Sequence, residues 1–160
     1  MGLEAIATNI YSDTLMDNIE LSDIGYIMAL TANSDINKYA INKFGSQFGE
    51  NGSFRLVTTQ EMLDDTNNPK EGLFSHKDDF NSLLEVTRKH PSIQEVDLED
   101  KEHYEKLIEI TNNDNEIIPL FVKDLEGELH IISSYNLVVD KIEEGYQLVY
   151  LGKPIDVEKV

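Results

Sequence analysis

The strongest constraint in the chain is an unbroken apolar run, Tyr26-Ile27-Met28-Ala29-Leu30, bounded by Gly25 before it and Thr31-Ala32-Asn33-Ser34 after it. A half-exposed strand alternates apolar and polar residues, whereas a continuous apolar run reads as a strand buried on both faces. Such strands belong to parallel sheets covered by helices. Ser34 or Asp35 then opens a helix in which Ile36, Tyr39, Ala40, Lys43 and Phe44 recur near helical spacing, and Gly45, Gly49 and Gly52 mark its end. Ser53 to Thr58 reads as the next strand. Upstream, Glu4 to Ile10 is β-capable and closes on Thr8-Asn9, and Ser12-Asp13 can cap a helix over Thr14 to Ile19. Residues 4–58 thus read strand, helix, strand, helix, strand, which is half of a doubly wound sheet.

Asp64 to Gly72 combines turn formers with one proline and almost no apolar side chains, so the boundary between two modules falls there. Beyond it, Asp79 to His90 predicts a helix with Phe80, Leu83, Leu84 and Thr87 on one face, ended by Pro91. Ile93 to Leu98 alternates as a half-exposed strand does, and Tyr104, Leu107, Ile108 and Thr111 form the stripe of another helix. Ile117 to Lys123 and Glu128 to Ser134 flank Asp124-Leu125-Glu126-Gly127 as a hairpin. Gln147 to Leu151 is a last strand, and residues 153–160 look frayed. The expected architecture is α/β: a partial Rossmann-like parallel sheet lacking its first strand or strands over residues 1–72, then a smaller α+β module with a β-hairpin over residues 73–160.

Thirteen Lys and Arg against 31 Asp and Glu give a net charge of −18, spread over both halves. Affinity for nucleic acid comes mainly from Lys and Arg releasing counterions, so such a surface repels phosphate backbones and no nucleic-acid partner is expected. Cysteine is absent, which removes disulfides, thiolate metal sites and cysteine nucleophiles. No stretch approaches the roughly 18 apolar residues of a spanning helix, and no basic start leads into an apolar stretch. The chain reads as soluble, and Met1-Gly2 running straight into strand-like sequence reads as a cut upstream.

Catalytic and metal chemistry find little support. His76, His90, His103 and His130 stand in no metal spacing and have no nucleophile partner by motif; each reads as structural, with His90 at a helix end. The acidic clusters around His76 and around Asp97 to His103 lack the turn-forming glycine of a calcium loop and read as solvated faces. No catalytic residue and no metal ligand is assigned. No G-x-G occurs among the nine glycines, so a dinucleotide phosphate loop is missing. Yet the strands ending at Thr8-Asn9 and at Thr31-Ala32-Asn33 would finish at the carboxyl edge of a parallel sheet, where open α/β folds bind ligands. Amide and hydroxyl side chains there suit an adenine or a ribose. The competing reading, stronger on sequence physics alone, is that these residues only cap the helices that follow.

The order of residues from Asn9 through YSDTLMDNIELSDIGYIMALTANSDINKYAINKFGSQFG to SFRLV resembles the second half of an RCK (regulator of potassium conductance) nucleotide-binding domain, of the TrkA-N type. The matching positions are Asn9, Leu15, Thr31, Asp35 and Asn37. The segment IIPLFVKDLEGELHI with EEGYQLVYLG is similar to the companion TrkA-C module, through Gly145 and Leu148. Together with Phe44-Gly45 and Pro119 to Phe121, the pairing looks most like the cytosolic tail of NhaP-like sodium:proton antiporters, over roughly residues 5–152. Thr8 departs from the family's usual glycine, and the family's first strand, phosphate loop and ribose-binding acid would lie before Met1. The resemblance implies a regulatory region on the cytoplasmic side of the bacterial inner membrane. Its partners would be the transmembrane transport domain of the same polypeptide and a second copy in a homodimer. It also implies an adenine nucleotide, such as NAD or ATP, near Asn9, Thr31 and Asn33. The rival expectations are a piece of a nucleotide-dependent enzyme and a ligand-free interaction module.

Overall fold

The apolar run forms strand β1 (Ile27–Ala29), paired in parallel with β2 (Ser53–Arg55) in the register Ile27 to Ser53, Met28 to Phe54 and Ala29 to Arg55. This is a computed structural model, and it describes residues 5, 7–12, 15, 24–48, 52–63, 69–75, 78–133 and 142–156. The parallel direction follows from helix α1 (Ser34–Phe44), which carries the chain back between the two strands. Asn33 starts α1 by accepting the N–H groups of Asp35 and Ile36 at 2.9 and 3.1 Å, two of the donors a helix start leaves unpaired. Asp35 in the first turn and Lys43 in the last match the helix dipole. Asn37, Ala40 and Phe44 make the buried stripe, and Ala40 and Phe44 pack with Ala29 and Leu15.

Several expectations for this half change. Residues 5 and 7–9 form no strand; Asn9 instead nucleates a turn, its Oδ1 accepting the Tyr11 N–H at 3.0 Å and its carbonyl the Ser12 N–H at 2.9 Å. The anticipated helix over 14–19 lies outside the described residues, apart from Leu15. The strand-helix-strand-helix-strand reading therefore reduces, among the described residues, to β1-α1-β2. Nor is the apolar run enclosed on both faces, since Tyr26 and Leu30 are 44% and 47% exposed. Among the described residues β1 is an outer strand, paired with β2 alone. β2 ends at Arg55, and Thr58 caps the short helix α2 (Thr59–Met62) with a reciprocal Thr58–Glu61 box.

Downstream come α3 (Phe80–Lys89), β3 (Ile93–Asp97), α4 (Lys101–Asn113), β4 (Ile117–Lys123), β5 (Leu129–Ile131) and β6 (Gln147–Gly152). The four strands make an antiparallel sheet in the order β3-β6-β4-β5. Gly127, at φ 85°, supplies the left-handed residue of the β4–β5 hairpin. α4 buries Tyr104, Leu107, Ile108 and Thr111, as its spacing predicts. α3 buries Val86, whereas Leu84 is 39% exposed; the stripe of α3 is rotated from the expected one. Residues 153–156 are held rather than frayed: Lys153 Nζ lies 2.6 Å from Asp114 Oδ2, and Ile155 N–H donates to the Tyr150 hydroxyl at 2.9 Å.

β4 is buried on both faces, between the apolar clusters of α4 and α3. A register shift between Pro119 and Phe121 flips the alternation, so Ile117 and Val122 join the cluster under α4 while Ile118 and Phe121 join the one under α3. Proline is tolerated at such a bulge because a ladder donor is already lost there.

The two sheets are joined through backbone. Arg55 N–H donates to Glu71 O at 2.8 Å and Leu73 N–H to Arg55 O at 2.9 Å, so residues 71–73 run alongside β2. Leu73 bridges Ser133, and Phe74 N–H donates to Ile132 O at 2.9 Å. One apolar cluster accordingly contains Phe54 and Leu56 with Leu73, Phe74, Val86, Ile118, Leu120 and Leu151. Among the described residues no helix is long and apolar enough to cross a membrane.

Candidate functional site

Parallel pairing brings the carboxyl ends of β1 and β2 to one edge, together with the first turn of α1 and with α2. Thr31, just past β1, is held by Asn37 from the second turn of α1. Asn37 Oδ1 accepts the Thr31 hydroxyl at 2.6 Å and its N–H at 3.1 Å, and Asn37 Nδ2 donates to the Thr31 carbonyl at 2.9 Å. The Asn37 amide is 1% exposed, so these bonds offset the cost of burying it. Thr31 Oγ1 also accepts from the Asn33 N–H at 3.2 Å. Thr31 and Asn33 thus share one turn at the end of β1. Asn9 closes its own turn, and its neighbour Ile10 shares a cavity wall with Thr31. Of the three, Asn33 alone caps a helix; Asn9 closes a turn and Thr31 is locked to Asn37.

Beneath Thr31 lies a cavity of about 380 Å³ between β1 and α1. Leu15, Ile24, Met28, Ala40 and Phe44 are among its lining residues, and among the described residues polar side chains enter the wall only at Thr31, Asn37 and Tyr26. With the Asn37 amide committed to Thr31, its interior is chemically apolar, suited to an uncharged ring or chain and not to a charged group.

Charge gathers instead around Arg55, the last residue of β2, which is 3% exposed. Its Nη2 and Nη1 donate to Glu61 Oε1 and Oε2 at 3.1 and 3.3 Å, and its Nε donates to Glu71 Oε1 at 3.0 Å. Lys38 Nζ, from α1, meets Glu61 Oε1 at 2.8 Å, and the Ser34 hydroxyl donates to Oε2 at 3.2 Å. Partial burial alone would raise the Glu61 carboxyl. The hydrogen bonds from Lys38, Thr58 N–H and Arg55, with the Arg55 charge, outweigh it and bring the pKa down to about 2. Arg55 and Lys38 carry no motif in the sequence, and Ser34 reads there only as a helix opener. One signal was legible there: Thr58-x-x-Glu61 has capping-box spacing.

The histidines have structural settings. His90 caps the end of α3, His103 lies in the first turn of α4 with Nδ1 3.3 Å from the Glu99 N–H, and His130 Nε2 sits 2.9 Å from Asp124 Oδ2. His76 lies outside the described residues. Among the described residues no group of three His, Cys, Asp or Glu side chains is arranged to hold a metal ion. Comparison with protein-family models, with curated proteins and with solved structures finds no match for this chain.

Proposed function

We propose that the chain is the cytosolic regulatory region of a monovalent cation:proton antiporter, as its resemblance to RCK-type tails implies. In this reading β1-α1-β2 is part of a Rossmann-like sheet whose carboxyl edge takes an adenine nucleotide such as NAD or ATP. The observation that carries it is the parallel Ile27–Ser53 register with α1 crossing between the strands, because ligands of open α/β folds bind where such strands end. Thr31 and Asn33 stand at that edge, above an apolar cavity suited to a ring. Regulation follows when the ligand binds two states of the transporter with different affinities, a homodimer of these regions passing the difference to the transport domain. No catalytic role is assigned to any residue.

Thermal shift with ATP, NAD and NADH tests the reading, since a ligand stabilises what it binds. A rise in melting temperature with one of them is expected; no rise with any overturns nucleotide sensing. One observation favours a second reading, a ligand-free interaction module: the side-chain oxygens of Asn9, Thr31 and Asn33 already have partners within the chain. That module would bind a basic partner through its acidic surface and show no nucleotide shift.

A further inference from the structure

The Glu61 carboxylate is surrounded by more donors than a carboxylate can use. Oε1 faces Lys38 Nζ and Arg55 Nη2, while Oε2 faces Arg55 Nη1, the Thr58 N–H, the Thr58 hydroxyl and the Ser34 hydroxyl, at 2.8–3.3 Å. Two oxygens offer about four lone-pair directions, so these donors crowd and Oε2 is oversubscribed. A tetrahedral oxyanion presents three outward oxygens and can take them all. The donors come from β2, from α1 and from the start of α2, and they converge at the carboxyl edge of a parallel strand pair. Arg55, its Nε held by Glu71, offers a two-pronged Nη1/Nη2 face of the kind that fits phosphate, and Ser34 adds its hydroxyl.

We propose that Arg55, Lys38, Ser34 and Thr58 form an oxyanion cradle for a phosphate group, and that Glu61 is its built-in occupant. The class of ligand is a phosphomonoester or polyphosphate, and binding displaces the Glu61 side chain toward solvent. Lys38 is half exposed and gives the entry side, whereas Arg55 forms the buried floor. This rests on the ligand-sensing reading above and supplies the anion contact that the apolar cavity cannot.

Inorganic phosphate, titrated into the full chain against chloride at matched ionic strength, is the probe. E61A removes the competing carboxylate and is expected to bind phosphate at least about tenfold more tightly than the wild type, by calorimetry. E61Q keeps the side-chain volume while losing the charge and shifts the same way, which covers a fold defect in E61A; adding K38A to either variant reverses the gain. Identical phosphate and chloride responses in E61A and E61Q overturn the cradle. Nucleotide stabilisation of the wild type without a phosphate gain in these variants sinks this inference alone. Phosphate binding by E61A with no nucleotide effect on the wild type sinks the sensing reading alone.

Discussion

Asn37 Oδ1 lies 2.6 Å from the hydroxyl of Thr31, and the same amide also binds the Thr31 backbone on both its N–H and C=O sides. A buried side chain from the second turn of α1 therefore fixes the residue where β1 ends. Strand end and helix start become one rigid corner, and the geometry of the candidate site depends on it.

Replacing Asn37 with Leu keeps the volume but removes its three hydrogen bonds to Thr31, which is itself exposed, so water takes over part of them. A hydrogen bond contributes about 0.5–1.5 kcal/mol net, so N37L is expected to lower unfolding stability by about that much in chemical denaturation. A double change with Thr31→Val removes the released hydroxyl and should recover part of the loss. No recovery would mean that the hydroxyl bond contributes little to the corner.

Glu61 has a folded-state pKa of about 2 against an ordinary 4.5. A depressed carboxyl contributes stability that is present in full above its unfolded pKa and is lost as pH falls toward the folded value. The wild type should therefore lose this contribution between about pH 4.5 and 2. E61Q, which has no proton to take up, should be less stable at pH 7 by about 1–2 kcal/mol, between the values for exposed and buried pairs. The gap should close with acid. A gap unchanged from pH 7 down to pH 2.5 would remove the Glu61 charge from any role in stability.

Local patterns were legible and tertiary ones were not. The α4 stripe, the Gly127 hairpin, the Asp79 and His90 ends of α3, and the β1-α1-β2 order follow from spacing and capping, which act over a few residues. The burial of Tyr26 and Leu30 depends on which strands lie beside β1, and that is decided elsewhere in the chain. The Asn9 turn won over a β-capable run because an Asn side chain can bond its own backbone two residues on. Nothing local in SFRLVT tells that Arg55 is buried; its burial goes with Glu61 and Glu71, both of which meet its guanidinium. The Pro119 bulge flips the β4 alternation, which no period-two reading of the run anticipates.

Leu107 on α4 is fully buried, whereas Leu84 on α3 is partly open to solvent. Leu107→Ala should cost about 2–5 kcal/mol through lost contacts and the cavity left behind. Leu84→Ala, despite its place in the expected helical stripe, should cost well under half as much by the same measure. Equal losses would mean that α3 packs with the rotation inferred from spacing and not with the one observed.

Gly152 ends β6 at φ 137°, and a Cβ built there would lie 2.1 Å from the Glu116 carbonyl oxygen and 2.8 Å from Ile117 Cα. Both obstacles are backbone at the head of β4, so the clash cannot be relieved by rotating a side chain. Strained backbone of this kind costs on the order of 1–3 kcal/mol before the steric overlap is added. Gly152→Ala should therefore lower the denaturation midpoint strongly and loosen the Ile117–Gly152 pairing, read as faster amide exchange at the start of β4. Gly25, whose added Cβ meets nothing within 4 Å, is the control: Gly25→Ala should change stability by no more than about 0.5 kcal/mol. If the two substitutions prove equally mild, the close approach of β6 to the Glu116 carbonyl does not exist in solution.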